Sequence, residues 1–312
     1  MADTLLPDRH KQRNFFTCDI FDSFKDDIAS MEHPVFSLSK KPDHRMLKYE
    51  RNGTTIKIKP SYTGLATIFD KDILLYLASS LMNAKNSGEA ISQTVRFTSY
   101  DYIISTNKSL GGTQYQLLKE GLERLNGTLI QTNIKTGSVE ETKEFGLIES
   151  WGIVKEDAKG KAIAIEVKLS DWFYNSILGD AVLTIDKDYF RLRKPTERRL
   201  YELARKHCGN QVAWKISLVN LKEKLGVTSQ MKLLRFNIKK ITETNHLPEY
   251  NISMENDIVM FSRKEPPKEN SVPAGLPKYV TKKEIEKQAK PGESYEQAAN
   301  RIKGLKAALG KK

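Results

Sequence analysis

The order strand, helix, helix, strand is written twice in this chain, once from Val95 to Lys135 and again from Val212 to Phe261. In the first copy Thr94, Val95, Arg96 and Phe97 alternate as a strand does, and Thr98 or Ser99 is placed to cap a helix through Tyr100, Tyr102, Ile103 and Ile104. Asn107 to Gly112 form a turn. A second helix follows, with Leu117, Leu118, Gly121, Leu122 and Leu125 at three-to-four spacing, and Asn126-Gly127 suits a left-handed C-terminal cap. Strands from Thr128 to Lys135 and from Glu144 to Val154 are expected to pair as a hairpin. In the second copy Val212, Trp214 and Ile216 form the strand, Ser217 caps a helix over Leu218, Leu221 and Leu225, and Gly226 closes it. The next helix runs from Gln230 to Ile241 over Leu234, Ile238 and Ile241, and Tyr250 to Met254 faces Ile258 and Met260 across Asn256-Asp257.

Each copy has the layout of a winged helix, a fold that mostly binds duplex DNA, with the hairpin as its wing and the second helix as its reading head. Helix pairs on short turns also fill ordinary cores, and that alternative stays open on pattern alone. Charge bears on it. The chain carries 51 Lys plus Arg against 39 Asp plus Glu, a formal +12, with a pI near 9.4, the electrostatic footprint of a nucleic-acid binder. Lys232, Arg235 and Lys239 fall on the face of the second reading helix opposite its apolar stripe, with Lys240 beside them. On the corresponding helix of the first copy Gln114, Tyr115, Lys119 and Arg124 are the polar candidates, Lys108 precedes it, and Glu120 and Glu123 oppose phosphate.

A denser basic cluster lies upstream of the second copy. Arg191, Arg193, Lys194, Arg198, Arg199, Arg205 and Lys206 crowd a stretch where Pro195 and Thr196 open a helix over Leu200, Leu203 and Ala204. Phosphate contact by this helix is one reading, and a surface helix with internal ion pairs such as Glu202 to Lys206 is the other.

Length allows two domains of roughly 100 to 150 residues, and 39% hydrophobic residues suffice for two modest cores. The first thirteen residues do not read as a secretory signal, and no apolar run approaches the ~18 residues of a membrane span, so a soluble cytoplasmic protein is expected. Cys18 and Cys208 are far apart, and His10, His33, His44, His207 and His246 are scattered, which gives no thiolate zinc site, no metal and no cofactor. No phosphate-cradling Gly-x-x-x-x-Gly-Lys run is present. Asp26, Asp27, Asp70 and Asp72 read as helix N-terminal residues, not as metal ligands. The chain therefore reads as a binder without catalysis. A nicking enzyme acting through Tyr189 or Tyr201 is the rival, though it wants a histidine pair that the sequence lacks.

Toward the N-terminus, Met46 to Tyr49 and Thr54 to Ile58 flank Asn52-Gly53, a strong hairpin signal. Asp70 and Lys71 lead into a helix over Ile73, Leu74, Leu77, Ala78 and Leu81, the first helix of the first unit. Ile163, Ile165, Val167 and Leu169 read as a linking strand, followed by a helix over Trp172, Phe173, Ile177 and Leu178, and so apolar a link predicts docked units. After Arg263 a Pro-rich stretch and a charged tail with a marginal helix from Tyr295 to Leu309 read as disordered.

The runs FFTCDIFDSF (15–24), DIASMEHPVFSL (27–38), GLATIFDKDILL (64–75), LSDWFY (169–174) and above all DYFRLRKPTERRLYELARKHCG (188–209) resemble the replication initiator protein A family of bacterial plasmids, over about Asn14 to Phe261. The resemblance implies a plasmid-associated initiator of the iteron-binding, winged-helix type. Such a protein binds repeated duplex origin sequences, opens the adjacent duplex, acts in copy control and recruits host replicative helicase and initiator proteins. By analogy the first unit combines DNA contact with self-association as a dimer, and the second is the main reading head. A transcriptional repressor with no replication role is the alternative. The expected fold is α+β with two tandem winged-helix domains: an N-terminal extension (1–45) leading into a β-hairpin, a first domain (46–180), a second (181–263) and a flexible basic tail (264–312). The expected DNA contacts are Lys108, Gln114, Tyr115, Lys119, Arg191, Arg193, Lys194, Arg198, Arg199, Lys206, Lys232, Arg235, Lys239 and Lys240.

Overall fold

The computed structural model describes residues 5–10, 15–18, 34–39, 41–51, 54–136, 139–155, 162–178, 182–208, 211–264 and 301–302. The chain divides into two units, 1–264 and 265–312. Of the second, residues 301 and 302 are helical. Residues 265–300 and 303–312 of the expected tail, the Asn52-Gly53 turn, Asp26 and Asp27 lie outside the described residues.

The first unit is α+β. It opens with strands β1 (Phe15–Cys18), β2 (Leu47–Arg51) and β3 (Thr54–Lys59), then helix α1 (Lys71–Asn86), β4 (Thr94–Phe97), α2 (Ser99–Ser105) and α3 (Gly112–Gly127). Four strands follow, β5 (Leu129–Thr136), β6 (Val139–Gly146), β7 (Ile148–Lys155) and β8 (Ala162–Leu169), then α4 (Asp171–Leu178) and β9 (Val182–Ile185). A short 3-10 turn (Lys187–Arg191) leads to α5 (Pro195–His207), β10 (Ala213–Ser217), α6 (Leu218–Leu225), α7 (Met231–Thr244), β11 (Tyr250–Glu255) and β12 (Ile258–Arg263).

Helix ends follow from local chemistry. Thr98 Oγ1 accepts the Asp101 N–H at 3.0 Å, and Ser217 Oγ accepts the Asn220 N–H at 3.3 Å, each satisfying a first-turn donor that the helix leaves open. Gly226 ends α6 in the left-handed region at φ 64, where glycine avoids the strain that a Cβ brings, and a side chain there would also strike Pro34, 2.1 Å from the Cβ position. The expected left-handed cap at Asn126-Gly127 does not form: α3 runs through Gly127 and is followed by extended Thr128. Glycine is needed at 127 for a different reason, since Ser61 Cβ approaches to 2.4 Å of where its Cβ would stand.

Pairing corrects the reading of the first copy. β5 pairs with β6 and with β3, giving a four-stranded sheet in the order β2-β3-β5-β6. The partner of β7 is β8, which also pairs with β4, in the order β4-β8-β7. The hairpin expected from Thr128 to Val154 is therefore split between two sheets, and the strand read as a link, Ile163 to Leu169, is the central strand of the second. Strand alternation allows either partner for β7. β8 pairs with β7 on one edge, Trp151 opposite Val167 and Ile153 opposite Ile165, and with β4 on the other, where Val95 faces Val167 and Phe97 faces Ile165, all four buried. The predicted N-terminal hairpin is present as β2 and β3, joined to the β5–β6 sheet instead of standing apart.

So corrected, the internal repeat is sharper. With β5 and β6 set aside as an insertion between α3 and β7, α1-β4-α2-α3-β7-β8 and α5-β10-α6-α7-β11-β12 share one element order, and each sheet runs first, last, middle: β4-β8-β7 and β10-β12-β11. Two hydrophobic clusters correspond to them. One gathers α1 to α4 with residues such as Ile73, Leu122, Ile130, Val167 and Phe173. The other gathers α5 to β12 around Leu203, Leu221, Ile238 and Phe261. They meet where Tyr76 and Leu38 pack against both and Leu75 of α1 enters the second.

Candidate nucleic-acid interface

The α7 helix shows how sequence divides a helix into two faces. Leu234, Ile238 and Ile241 are buried, each worth roughly 1.5–3 kcal/mol relative to exposure, and this fixes which residues face outward. Lys232, Arg235, Lys239 and Lys240 are exposed as expected. Two apolar side chains share that outer face, Leu233 at 52% and Phe236 at 53% exposure, and Lys240 Nζ stands 4.4 Å from the centre of the Phe236 ring. Periodicity missed these two because it sorts residues by the stripe they complete, and they complete none.

Arg235 is not free. Its Nε and Nη2 donate to both carboxylate oxygens of Asp257 at 2.7 and 2.6 Å. Asp257 and Asn256 both have positive φ, 59 and 47, which is the tight two-residue turn joining β11 to β12. The guanidinium thus ties the hairpin tip to the helix, and its hydrogen bonds hold the Asp257 carboxyl below the usual carboxylate range. The pair is solvent-exposed, so the fork can exchange Asp257 for another acceptor at little cost.

On α3 the buried residues are Leu118, Gly121, Leu122 and Leu125. Leu117, expected in that stripe, is 46% exposed. Gln114, Tyr115 and Lys119 are half-buried, with Tyr115 packed on the first core. Arg124 is withdrawn from any ligand by a two-pronged bond to Asp70, 2.8 Å for each contact. Asp70, read as a cap, makes no side-chain cap to α1. It holds Arg124 and accepts from the Thr67 N–H and hydroxyl.

The basic cluster before the second copy separates into buried and exposed members. Arg198 and Arg199, expected on phosphate, are buried at 3% and 6% exposure. Arg198 Nη1 meets Asp72 Oδ1 at 2.6 Å, its guanidinium lies 4.5 Å from the Phe69 ring centre and 5.0 Å from that of Tyr189, and it donates to the Leu192 and Phe190 carbonyls. Lys108, also expected on DNA, donates to the other oxygen of Asp72 at 2.7 Å. Beside them Lys71 Nζ pairs with Glu202 at 2.9 Å, Arg199 with Glu202 at 3.4 Å, and the Tyr189 hydroxyl donates to Glu202 at 2.8 Å. These are corrections with one cause. A guanidinium taken out of water needs a carboxylate, and α1 brings Asp72 from the other repeat to supply it. Burial raises the Glu202 carboxyl pKa, but Lys71 and Arg199 outweigh it, and the net direction is down. Arg198 stays charged because Asp72 outweighs its own desolvation.

The remaining members lie nearer solvent. Arg191 is half-buried and bonded to the Leu6 carbonyl at 2.7 Å and to Asp188 at 3.3 Å. Arg193 and Lys194 are exposed and Lys206 is half-buried. Lys194 pairs with Glu197 at 3.1 Å, whose carboxylate accepts the Lys194 backbone N–H at 3.2 Å. Tyr189 and Tyr201 are wholly buried, and the Tyr201 hydroxyl donates to Glu249 at 2.6 Å. Among the described residues no three His, Cys, Asp or Glu side chains are grouped to hold a metal ion, and no helix is long and apolar enough to cross a membrane.

Comparison with solved structures gives the class of fold. Crystal structures of domains 2-3 of RctB superpose with TM-scores of 0.56 and 0.52, at 12% and 14% identity, covering 75% and 74% of this chain and 96% and 95% of those chains. At such identities the shared property is the fold. Sequence supplies the rest. The family model for replication initiator protein A matches residues 25–252, and a proposed replication protein of Wigglesworthia glossinidia brevipalpis is 43% identical over 267 residues, 83% of this chain and 96% of that protein. The chain belongs to the replication initiator protein A family.

Proposed function

We propose that this protein initiates plasmid replication by binding repeated origin sequences in duplex DNA through two tandem winged-helix units, α1 to β8 and α5 to β12. The observation that carries the reading is the repeated element order, β5 and β6 set aside, with the same first-last-middle sheet, together with the exposed Lys232, Arg235, Lys239 and Lys240 on the second helix of the second copy, α7. In this reading α7 is the main reading head. Lys232, Lys239 and Lys240 meet phosphate, Arg235 addresses a guanine edge, and Leu233 and Phe236 suit thymine methyl groups. Gln114, Tyr115 and Lys119 make the lesser contacts of α3, with Arg193 across the cleft that Gln114 lines and Lys194 next to it in the chain. The protein acts in the cytoplasm on plasmid origins, as a dimer in one of its states, opens the adjacent duplex and hands it to host helicase and initiator proteins. It is not an enzyme, and the burial of Tyr189 and Tyr201 supports that against a tyrosine nickase.

The test is duplex binding across salt, on DNA flanking the gene. With roughly 5 to 8 phosphates neutralised, log K falls against log salt with a slope of about −4 to −7. A slope near zero sinks the DNA-binding reading. An origin-dependent plasmid maintenance assay then separates initiator from repressor, because repression alone does not sustain the plasmid.

A further inference from the structure

Residues 5–10 form a strap that spans both repeats. Leu6 N–H donates to the Arg191 carbonyl at 2.8 Å while Arg191 Nε returns a bond to the Leu6 carbonyl at 2.7 Å, which anchors the strap to the second repeat. Its other end is held by the turn between α2 and α3. The Arg9 N–H donates to Asn107 Oδ1 at 2.8 Å, Asn107 Nδ2 donates to the Pro7 carbonyl at 3.0 Å, and the His10 ring meets the Lys108 carbonyl at 3.1 Å. Asn107 is itself buried at 1% exposure with φ 56, so the clamp that seats Arg9 is a fixed part of the first repeat.

Under the strap lies a cleft of about 360 Å³ whose charged lining is Arg9, Lys108, Arg193 and Arg198, with no carboxylate among the described residues that line it. Buried Asp72 neutralises one positive charge from behind, through Lys108 and Arg198. Arg9 and Arg193 remain exposed at the rim. Among the described residues each guanidinium donates to one backbone carbonyl, 3.4 Å in both cases, and such bonds leave the charge unbalanced. Asp8 is exposed on the strap and is not part of the lining. Gln114, in the first turn of α3, forms part of the wall.

We propose that this cleft is a phosphate site for the DNA backbone, with Arg9 and Arg193 as its two ligands, one from the strap and one from the second repeat. The inference rests on the duplex-binding reading. In helix-turn-helix docking the first turn of the reading helix lies nearest the bases, so a phosphate flanking the bases that α3 meets falls beside Gln114, at the mouth of the cleft. Guanidinium groups suit a phosphodiester because two N–H donors match two oxygens. The strap seats Arg9 in advance, which lowers the cost of ordering it on binding.

Arg9→Ala, Arg193→Ala and the double variant test this in full-length protein, with Lys239→Ala for comparison and thermal unfolding as a control on folding. Each single change is expected to reduce the salt slope by about one and to cost about fivefold in affinity near 0.15 M salt. Duplexes bearing one neutral methylphosphonate linkage locate the phosphate: a position that weakens wild type about fivefold leaves the double variant no weaker than on unmodified DNA. Wild-type slope and affinity in the double variant, with Lys239→Ala weakened, overturns the cleft and leaves the duplex reading standing. Salt-independent wild type overturns both. Tripolyphosphate that binds wild type and not the double variant, at equal DNA affinity of the two proteins, also overturns the assignment, since the site would then serve a free phosphoryl ligand.

Discussion

Asp72→Asn should be among the most destabilising single changes in this protein, although it removes one charge and almost no volume. Asp72 is wholly buried and faces two cations, Arg198 at 2.6 Å and Lys108 at 2.7 Å. The amide keeps the shape and loses the charge, which leaves the Arg198 guanidinium, 4% exposed, without its counter-ion. Breaking a buried pair from one side costs about 3–5 kcal/mol, a large share of the roughly 5–15 kcal/mol that holds a domain folded. At about 2–4 °C per kcal/mol for a chain of this size, the melting temperature should fall by about 6–20 °C. Replacing Asp72 and Arg198 together, as in Asp72→Leu with Arg198→Met, removes the buried orphan and leaves Lys108, 20% exposed, to turn to water, so most of the loss is expected to be recovered as the desolvation of Asp72 and Arg198 disappears with them. Urea unfolding of wild type, Asp72→Leu, Arg198→Met and the double replacement closes the cycle, with Asp72→Asn measured beside it. If Asp72→Asn unfolds within about 1 kcal/mol of wild type, Arg198 has found water, and it returns to the list of candidate phosphate contacts.

Two further outcomes follow from single side chains. Arg235→Ala should cost about tenfold or more on the cognate repeat and relax one base pair, whereas Lys239→Ala should weaken all sequences alike and lower the salt slope by about one; unchanged base preference in a randomised-site selection would leave Arg235 as no more than the partner of Asp257. His207 is stacked on Trp214 with ring centres 4.0 Å apart, and burial first, then Lys224, Lys206 and Arg199, lowers its pKa from 6.5 to about 4. The unfolded chain therefore binds the extra proton between those values, so this group's effect is to lower stability as pH falls from 6.5 toward 4, and His207→Phe should flatten the dependence in that window. Parallel slopes for wild type and variant would show that the ring titrates normally.

Helix faces were legible in the sequence because a helix buries what its own neighbours three and four places away complete. Leu234, Ile238 and Ile241 define α7 by themselves, and Ser217 and Gly226 mark the ends of α6 by chemistry confined to a few residues. Strand pairing was not legible to the same degree. β7 alternates well enough to join β5 or β8, and the choice depends on β4, more than fifty residues away, offering Val95 and Phe97 to β8. The basic cluster failed for a similar reason. Arg198 stands 126 positions from Asp72, and nothing local distinguishes an arginine with a distant counter-ion from one waiting for phosphate. Arg9 was missed because six ordered residues near a terminus carry no periodicity, and Asp257 because a turn residue reads as a turn and not as a partner for Arg235.

The contact between the repeats has an uneven character that bears on how the two proposed reading heads would work together. Among the described residues Tyr76 and Leu38 touch both cores and Leu75 of α1 enters the second, while five charged residues, Lys71, Asp72, Arg198, Arg199 and Glu202, are buried at 6% exposure or less. Hydrophobic contact tolerates sliding, whereas a guanidinium between a carboxylate and two rings has one good position. We infer that the ionic seam sets the angle between α3 and α7 more than it adds strength. Heads held at a set angle act on a composite site as one ligand, with the second contact made at high effective concentration, and lose that gain when the geometry relaxes. The double replacement Asp72→Leu with Arg198→Met separates the two properties. It should fold with near wild-type stability and bind a half-site for α7 as wild type does, yet lose about tenfold or more on the full repeat. Equal loss on both DNAs would place Arg198 on phosphate after all, and no loss on either would show that apolar packing alone fixes the angle.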